Sequence, residues 1–356
     1  MNLKTKLHYS LDTLAQPDTK FSNKETFSDG TLLKRAKRKQ YTQKITAELL
    51  QLKSPLHKQY QRAFYCCTGL KQEGKMITTT NDYCNSRACM VCNSIRTAKL
   101  INGYGEYLQA EKQYFCTLTI VNVKEDELKK SIEAMIKHFG LILKSLRQKK
   151  GLHPDGIRRL EITYNKTANT YHPHFHFLIN CEASARFIQT QWLKRYIDAT
   201  KVNQPIILAN ENTLTEIFKY STKFAIKLEG HNNDSGQLDI NFDGKQKQIE
   251  NEKPKYEVHV SSLDKIFCAM NGKRTVQPFG KYVKKKISED ISKEDVQEKE
   301  YNVKLKSYAL YEWKEYDWFD IKTNESLSGA KKVNAEFCFI GKPPPLPPHK
   351  RKIYLN

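Results

Sequence analysis

The stretch YHPHFHFLIN, residues 171–180, places His172, His174 and His176 at every second position of an apolar run, in a chain with only 10 histidines among 356 residues. Side chains of a β-strand alternate in direction, so the three imidazoles share one face while Phe175, Phe177 and Ile179 fill the other. Neutral imidazole is a ligand for Mn, Zn or Fe, and two rings at i and i+2 can reach one divalent cation. The preceding run, GIRRLEITYN, supplies a carboxylate. With a turn centred near Ala168, Glu161 stands opposite the His174 region and points the same way. Two histidines and one carboxylate leave coordination positions open for a substrate. His172 is then a spare ligand, or a partner standing behind the other two.

Two further groups have chemistry in their spacing. Cys84, Cys89 and Cys92 follow the pattern C-x4-C-x2-C, with Cys66 and Cys67 upstream. Nine cysteines in a chain of this size, placed in a reducing cytoplasm, do not read as a disulfide framework, and a cluster of them points to metal. Cys116, Cys181, Cys268 and Cys338 lie in apolar segments and read as core. The second group is TLTEIFKYSTKFAIKL, read as a helix from Thr213 to Leu228. At 100° per residue Leu214, Ile217, Phe218, Ser221, Phe224, Ala225 and Leu228 share one arc, and Glu216, Tyr220, Lys223 and Lys227 the opposite one. Lysines one turn away favour the phenolate of Tyr220, and Glu216 stands one turn before it as an acid or base. On pattern alone an ordinary solvated helix face is the better explanation of this arc.

The elements that must hold these residues follow from periodicity. YFCTLTIVNV (114–123) reads as a buried strand. Between Asp126 and Lys150, apolar residues at Leu128, Ile132, Ile136, Phe139, Leu143 and Leu146 make an amphipathic helix. Residues 157–180 read as an antiparallel hairpin, and Arg186 to Thr200 as a further helix. The resulting β-α-β-β-α order predicts an α+β class, a central antiparallel sheet with helices, joined by a cysteine-cluster zinc element and a small C-terminal unit. The expected segments are a basic N-terminal extension (1–60), the cysteine element (61–112), a catalytic domain (113–228), a polar linker or insertion (229–255), a C-terminal accessory region (256–340) and a proline-rich tail (341–356). Within the first, LLKRAKRKQ (32–40) is either a solvated helix face or a phosphate-tracking arm. VHVSSLDKIFCAMNGKRTVQPFGKYVKKK reads as a helix and a basic hairpin. SYALYEWKEYDWFDI, with two of the three tryptophans, needs burial in the C-terminal unit or at an interface.

Composition narrows the partners. Sixty Lys and Arg against 39 Asp and Glu leave +21, a field that suits nucleic acid. No stretch approaches the roughly 20 apolar residues of a membrane span, and the N-terminus lacks the apolar run of a secretory signal. A cytoplasmic, membrane-free protein is expected.

Taken in order, TLTIVNV, RRLEITYN, YHPHFHFLIN and EIFKYSTK resemble the plasmid rolling-circle replication initiators of the Rep_1 type, within the HUH endonuclease group. The His-hydrophobic-His motif matches His174-Phe175-His176. The tyrosine motif, with Glu four residues before and Lys three after, matches Glu216, Tyr220 and Lys223. The resemblance spans roughly residues 60–285, including AMNGKR (269–274). It implies a ferredoxin-like, RRM-like sheet and Mg²⁺ or Mn²⁺ on the histidine pair. It further implies a bacterial enzyme, a metal-dependent endonuclease and strand transferase that nicks one strand of the double-strand origin. Tyr220 would attack the phosphodiester, keep the 5′-phosphate and leave a 3′-OH for a host polymerase, beside a host helicase. Lys223 would stabilise phenolate or transition-state charge, and Glu216 would activate water for the terminating cleavage. The family's cysteine cluster, Cys-Gly followed by C-x4-C-x2-C, implies structural Zn²⁺ on Cys84, Cys89, Cys92 and a fourth thiol. Cys66 suits that position better, since Cys67 falls where the family has Gly.

For DNA, Arg158, Arg159, Lys223, Lys227, Lys273, Arg274 and the 34–39 run are the candidate phosphate contacts, and stacking aromatics are expected where single-stranded DNA enters. The alternatives are a related relaxase or transposase, and a zinc-stapled DNA-binding regulator without enzymatic activity.

Overall fold

The computed structural model describes residues 29–73, 76–80, 83–210, 217–218, 226–227, 256–285, 287–291, 308–333 and 337–341. In chain order the elements are α1 (Asp29–Leu49), α2 (His57–Phe64), β1 (Gly69–Glu73), β2 (Met76–Thr79), α3 (Met90–Ala110), β3 (Tyr114–Thr119), α4 (Glu125–Lys150), β4 (Gly156–Asn165), β5 (Thr170–Ile179) and α5 (Glu182–Arg195). Then follow β6 (Ile206–Leu208), β7 (Ile226–Lys227), β8 (Tyr256–His259), α6 (Val260–Met270), β9 (Val276–Phe279), β10 (Tyr308–Lys314), β11 (Asp317–Asp320) and β12 (Phe337–Ile340). The described residues fall into two compact units. One draws on Leu100–Lys223 and Cys268–Glu289, the other on Ala15–Lys99, Phe224–Phe267 and Asp290–Asn356.

The first unit is built on a five-stranded sheet of order β6-β3-β5-β4-β9 with every neighbouring pair antiparallel. Its long hairpin forms because two ten-residue runs of alternating character flank the turn at Lys166–Asn169, where Asn169 takes the left-handed conformation (φ 49°) that Asn tolerates. Register then fixes the faces. Arg158, Leu160 and Ile162 pair with Phe177, Phe175 and Pro173, whereas Arg159, Glu161 and Thr163 pair with His176, His174 and His172.

The apolar face is covered by α4 and α5. Phe139 of α4 meets Phe175, Phe177 and Phe279 edge-on at 5.7, 5.7 and 5.9 Å, and Trp192 of α5 meets Phe175 at 5.7 Å. The Trp192 indole N–H donates to the Thr119 carbonyl at 2.8 Å, so the ring is buried without an unpaired donor. The ends of α4 complement its dipole, with Glu125, Asp126 and Glu127 in the first turn and Arg147, Lys149 and Lys150 in the last. It stops at Gly151, in the left-handed conformation at φ 63°. Its buried stripe runs through Met135 and Ile142, where sequence spacing alone points to the adjacent Ile136 and Leu143.

On the opposite face, Ile157, Leu178 and Phe115 pack with Leu100, Tyr104 and Leu108 of α3, with Ile217 and Phe218, and with Val276 and Tyr282. The histidines continue this face along the strands. Its near end is therefore covered, and the row His176, His174, His172 carries on beyond that cover.

The second unit gathers the cysteines. Cys66, Cys67, Cys84, Cys89 and Cys92 share a core with Leu32 and Ala36 of α1, Leu70, Ile77, Tyr83 and Trp318. A four-stranded sheet of order β11-β10-β1-β2 and a three-stranded one of order β12-β8-β7 complete it.

Several expectations change. The Trp313–Trp318 hairpin is no separate C-terminal unit, because β10 pairs with β1 from Gly69↔Glu312 to Glu73↔Tyr308. The fully buried Trp318 donates to the Cys67 carbonyl at 2.9 Å. Among the described residues after α6, β9 adds to the edge of the five-stranded sheet on β4, where a basic hairpin is expected from the sequence. The helix expected from Arg186 to Thr200 begins earlier, at Glu182, and ends at Arg195.

The helix expected from Thr213 to Leu228 is also absent where it is described. Ile217 and Phe218 form a turn, and Ile226–Lys227 pair antiparallel with Glu257 and Tyr256 of β8. The sheet ladder there satisfies backbone groups that a helix would have turned inward, and so overrides local propensity.

Candidate metal centres

Glu161, His174 and His176 bring one donor atom each within 4.8 Å of one another. Strands β4 and β5 do this by register, since Glu161 is paired with His174 and Arg159 with His176. The Glu161 Oε2 atom lies 3.9 Å from His174 Nε2 and 3.7 Å from His176 Nε2. Ligands about 2.1 Å from a single ion stand roughly 3.0–3.4 Å apart, so shifts of up to about 1 Å bring these donors onto a metal.

Protonation states agree with that role. The His174 Nδ1 atom lies 3.1 Å from the His172 carbonyl oxygen, which can only accept, so Nδ1 carries the proton and Nε2 keeps its lone pair toward Glu161. His176 Nδ1 is 3.1 Å from the Thr117 hydroxyl on β3, directly across the ladder, and the Phe115 ring stacks on His176 at 5.2 Å. Thr117 therefore orients His176 with its Nε2 toward the same point.

His172 stays outside the donor group. Its Nδ1 bonds Asn122 Oδ1 at 2.7 Å, and its ring packs on His174 at 5.3 Å. Burial, and then the neighbouring His174, hold its imidazole down to about 4, so it is neutral at physiological pH.

The arginines expected to contact phosphate are placed differently. Arg158 is buried on the apolar face with its guanidinium 4.3 Å over the Phe175 ring and 5.6 Å from that of Phe139. Burial lowers it to about 10. Arg159 is on the histidine face but also buried, 3.5 Å from Glu161 Oε2. Neither side chain is presented to a phosphate in this conformation. Lys273 pairs with Glu133 at 2.7 Å and Arg274 is exposed. Lys227 lies in β7. Tyr220, Glu216 and Lys223 lie outside the described residues. The described positions closest in the chain to Glu216 and Tyr220, namely Ile217 and Phe218, are buried on the histidine face, with Phe218 stacked parallel to Tyr104.

The second centre is Cys66, Cys84, Cys89 and Cys92, all buried, with sulfurs within 4.8 Å of one another. The Cys66–Cys92 and Cys84–Cys92 sulfurs are 3.6 and 3.5 Å apart. A tetrahedral ion with metal–sulfur bonds of about 2.3 Å needs sulfurs roughly 3.8 Å apart, so the cage already has the size of one ion. Cys67 is not in this group. Its Sγ stands 3.8 Å from that of Cys66, and its backbone takes φ 57°, the conformation glycine adopts freely. Hydrogen bonds from Cys67, Cys84, Cys89 and Cys92 hold the Cys66 thiol well below its ordinary value, whereas burial pushes the Cys92 thiol up. Elsewhere, Cys116 is buried and Cys181, Cys268 and Cys338 are partly exposed.

The basic run at 32–40 proves to be neither arm nor solvated face. It lies in α1, with Arg35, Arg38, Lys39 and Gln40 all buried. Period-3.6 spacing places Leu32, Arg35, Ala36 and Lys39 on a common stripe, a signal masked by the charge of the run.

Among the described residues no helix is long and apolar enough to cross a membrane. A family model described as a replication protein, Rep_1, matches residues 75–322, more than half of the chain. A Protein rep of Staphylococcus aureus is 36% identical over 160 residues, covering 39% of this chain and 69% of that protein. A Protein rep of a Bacillus species is 32% identical over 149 residues, covering 38% of this chain and 48% of its own length. One of Streptococcus pneumoniae is 26% identical over 121 residues, covering 32% and 38%. No solved structure matches the chain. With the His-x-His strand, its facing glutamate and the ordered motifs inside the matched span, the chain belongs to the Rep_1 family of plasmid replication proteins.

Proposed function

We propose that this chain starts rolling-circle replication of a plasmid by cutting one strand at the double-strand origin, with Tyr220 as nucleophile. The observation that carries the reading is the convergence of Glu161, His174 and His176 on one sheet face in a chain of this family. The strand order β6-β3-β5-β4 is fourth, first, third, second in a β-α-β-β-α-β sequence, as in ferredoxin-like sheets, which supports an HUH nuclease fold.

The donor set suits Mn²⁺ or Mg²⁺, with the imidazoles favouring Mn²⁺. When bound, the ion supplies Lewis acidity to a nonbridging phosphate oxygen. The chain does the rest. Thr117 and the His172 carbonyl hold the two rings so that both Nε2 lone pairs face Glu161, and Arg159 sits against that carboxylate. Tyr220 would attack phosphorus in line, forming one P–O bond as the bond to the 3′ oxygen breaks. The 3′ oxygen takes up a proton and primes the polymerase, and the 5′-phosphate stays on the tyrosine. Burial of Ile217 and Phe218 on the histidine face supports this assignment, since two residues of chain reach at most about 7 Å. Lys223 would favour the phenolate, and Glu216 would deliver water to the final phosphotyrosine. The partners are the plasmid's origin duplex, its nicked strand, and a host helicase and polymerase, with Zn²⁺ as a structural ion on the four cysteines.

The test is nicking of a supercoiled plasmid that carries its own origin, with Mn²⁺. Tyr220→Phe should lower nicking by at least about 1,000-fold while leaving affinity for the origin within about threefold. A Phe variant that still nicks contradicts the nucleophile, and wild-type protein that binds without cutting points to a non-enzymatic regulator. Glu216→Ala should nick but release few finished circles.

A further inference from the structure

The basic helix α1 has no task in the reaction above, yet it buries two cations on one stripe. Arg35 and Lys39, one turn apart, are each 1% exposed. The Lys39 ammonium donates to the carbonyl oxygens of Cys66 at 2.7 Å and Phe64 at 3.2 Å, and stands 5.3 Å over the Trp313 ring. The Arg35 guanidinium donates to the Tyr83 hydroxyl at 2.9 Å and lies 3.7 Å from Cys67 Sγ. Lys39 thus meets the ligand Cys66 at its own carbonyl, and Arg35 meets Tyr83 and Cys67, the chain neighbours of the ligands Cys84 and Cys66.

Burying a cation costs several kcal/mol unless an opposite charge stands near it. Among the described residues, two carbonyls accept hydrogen bonds from Lys39 and one ring lies under it, and none of these supplies that charge. Four thiolates around a divalent ion do supply it: four negative charges and two positive leave −2, which one arginine and one lysine cancel. We infer that Arg35 and Lys39 are the counter-charges of the metal-loaded cysteine centre, so that metal binding and the docking of α1 form one linked equilibrium. The inference rests on the reading that the four cysteines hold a divalent ion. Linkage then works in both directions. Loading the ion, with loss of the thiol protons, favours the docked helix, and the docked cations raise the affinity for the ion.

The experiment compares wild-type full-length chain with Lys39→Met, Arg35→Met and Arg35→Lys. Zn²⁺ affinity is measured by competition with a chelator, and Co²⁺ binding by its thiolate absorption bands. Each Met variant should bind Zn²⁺ about tenfold more weakly, equivalent to about 1.4 kcal/mol, and Arg35→Lys should recover most of the loss. The melting temperature gives a readout that simple packing damage would not move in the same way. The Met variants should show a smaller rise on Zn²⁺ addition than wild type, because the loaded centre loses a positive charge beside its thiolates. Unchanged Zn²⁺ affinity together with an unchanged Zn²⁺-induced rise, in either folded Met variant, overturns the inference. Wild-type chain that takes up neither Zn²⁺ nor Co²⁺ overturns instead the reading on which it rests. Should one Met variant fail to fold, the other decides, since the two side chains reach the centre through different residues.

Discussion

At the level of single residues, the metal face depends on groups that make no metal bond themselves. Thr117→Val should weaken Mn²⁺ binding about tenfold, read by electron paramagnetic resonance of free Mn²⁺, because the His176 ring loses the hydroxyl that orients it through Nδ1. His174→Ala should abolish binding at micromolar Mn²⁺, and retained affinity would remove the triad from the account. Much of this site is legible in the sequence. Period-two spacing aligns His172, His174 and His176, and the length of the turn brings Glu161 opposite His174. Thr117 is not legible, because which residue of β3 faces His176 depends on a register between strands that no local pattern encodes. Arg158 shows the opposite failure. The alternation that puts Glu161 on the polar face puts Arg158 with Leu160 and Ile162, under Phe175 and Phe139, yet its charge suggests a surface role.

Among the elements, α4 carries the most testable packing. Phe139 touches Phe175 and Phe177 of β5 and Phe279 of β9, so Phe139→Ala should cost about 3–5 kcal/mol in urea unfolding and loosen the strand that holds the histidines. The α4–α5 contact also responds to pH. His138 Nδ1 meets the Tyr196 hydroxyl at 2.9 Å, and burial, followed by Arg195 and Lys137, lowers the His138 imidazole. Below the ordinary value of about 6.5 the unfolded chain therefore binds the extra proton more readily than the folded one, and stability falls as pH drops through that window. His138→Gln should flatten that part of the melting-temperature profile, and an unchanged profile would assign the slope elsewhere. Amphipathic α4 and the hairpin of β4 and β5 were readable because their periodicity is long and regular. The segment around Ile226–Lys227 was not, since its partner β8 lies about 30 residues away and long-range pairing decided its conformation.

For the whole molecule, a net charge of +21 favours DNA, but some of the basic residues that the sequence singles out for it are not available. Arg35, Arg38, Lys39, Arg158 and Arg159 are all buried. Arg274→Ala should therefore lower the slope of log affinity against log salt for duplex DNA by about 1, whereas Arg158→Met should leave it unchanged. A slope that falls with Arg158→Met would mean that this side chain leaves its rings to meet DNA. Composition thus points to the same partner class as the family, while overstating how many of the singled-out charges can reach it, because burial is a property of packing rather than of counts. The central claim is that Tyr220 becomes joined to DNA on the Glu161–His174–His176 face, and peptide mass mapping after reaction with origin DNA and Mn²⁺ tests it most directly. The account predicts a nucleotide 5′-phosphate adduct on the peptide containing Tyr220, absent in His174→Ala; an adduct on any other residue, or efficient nicking with no protein–DNA bond, would contradict it.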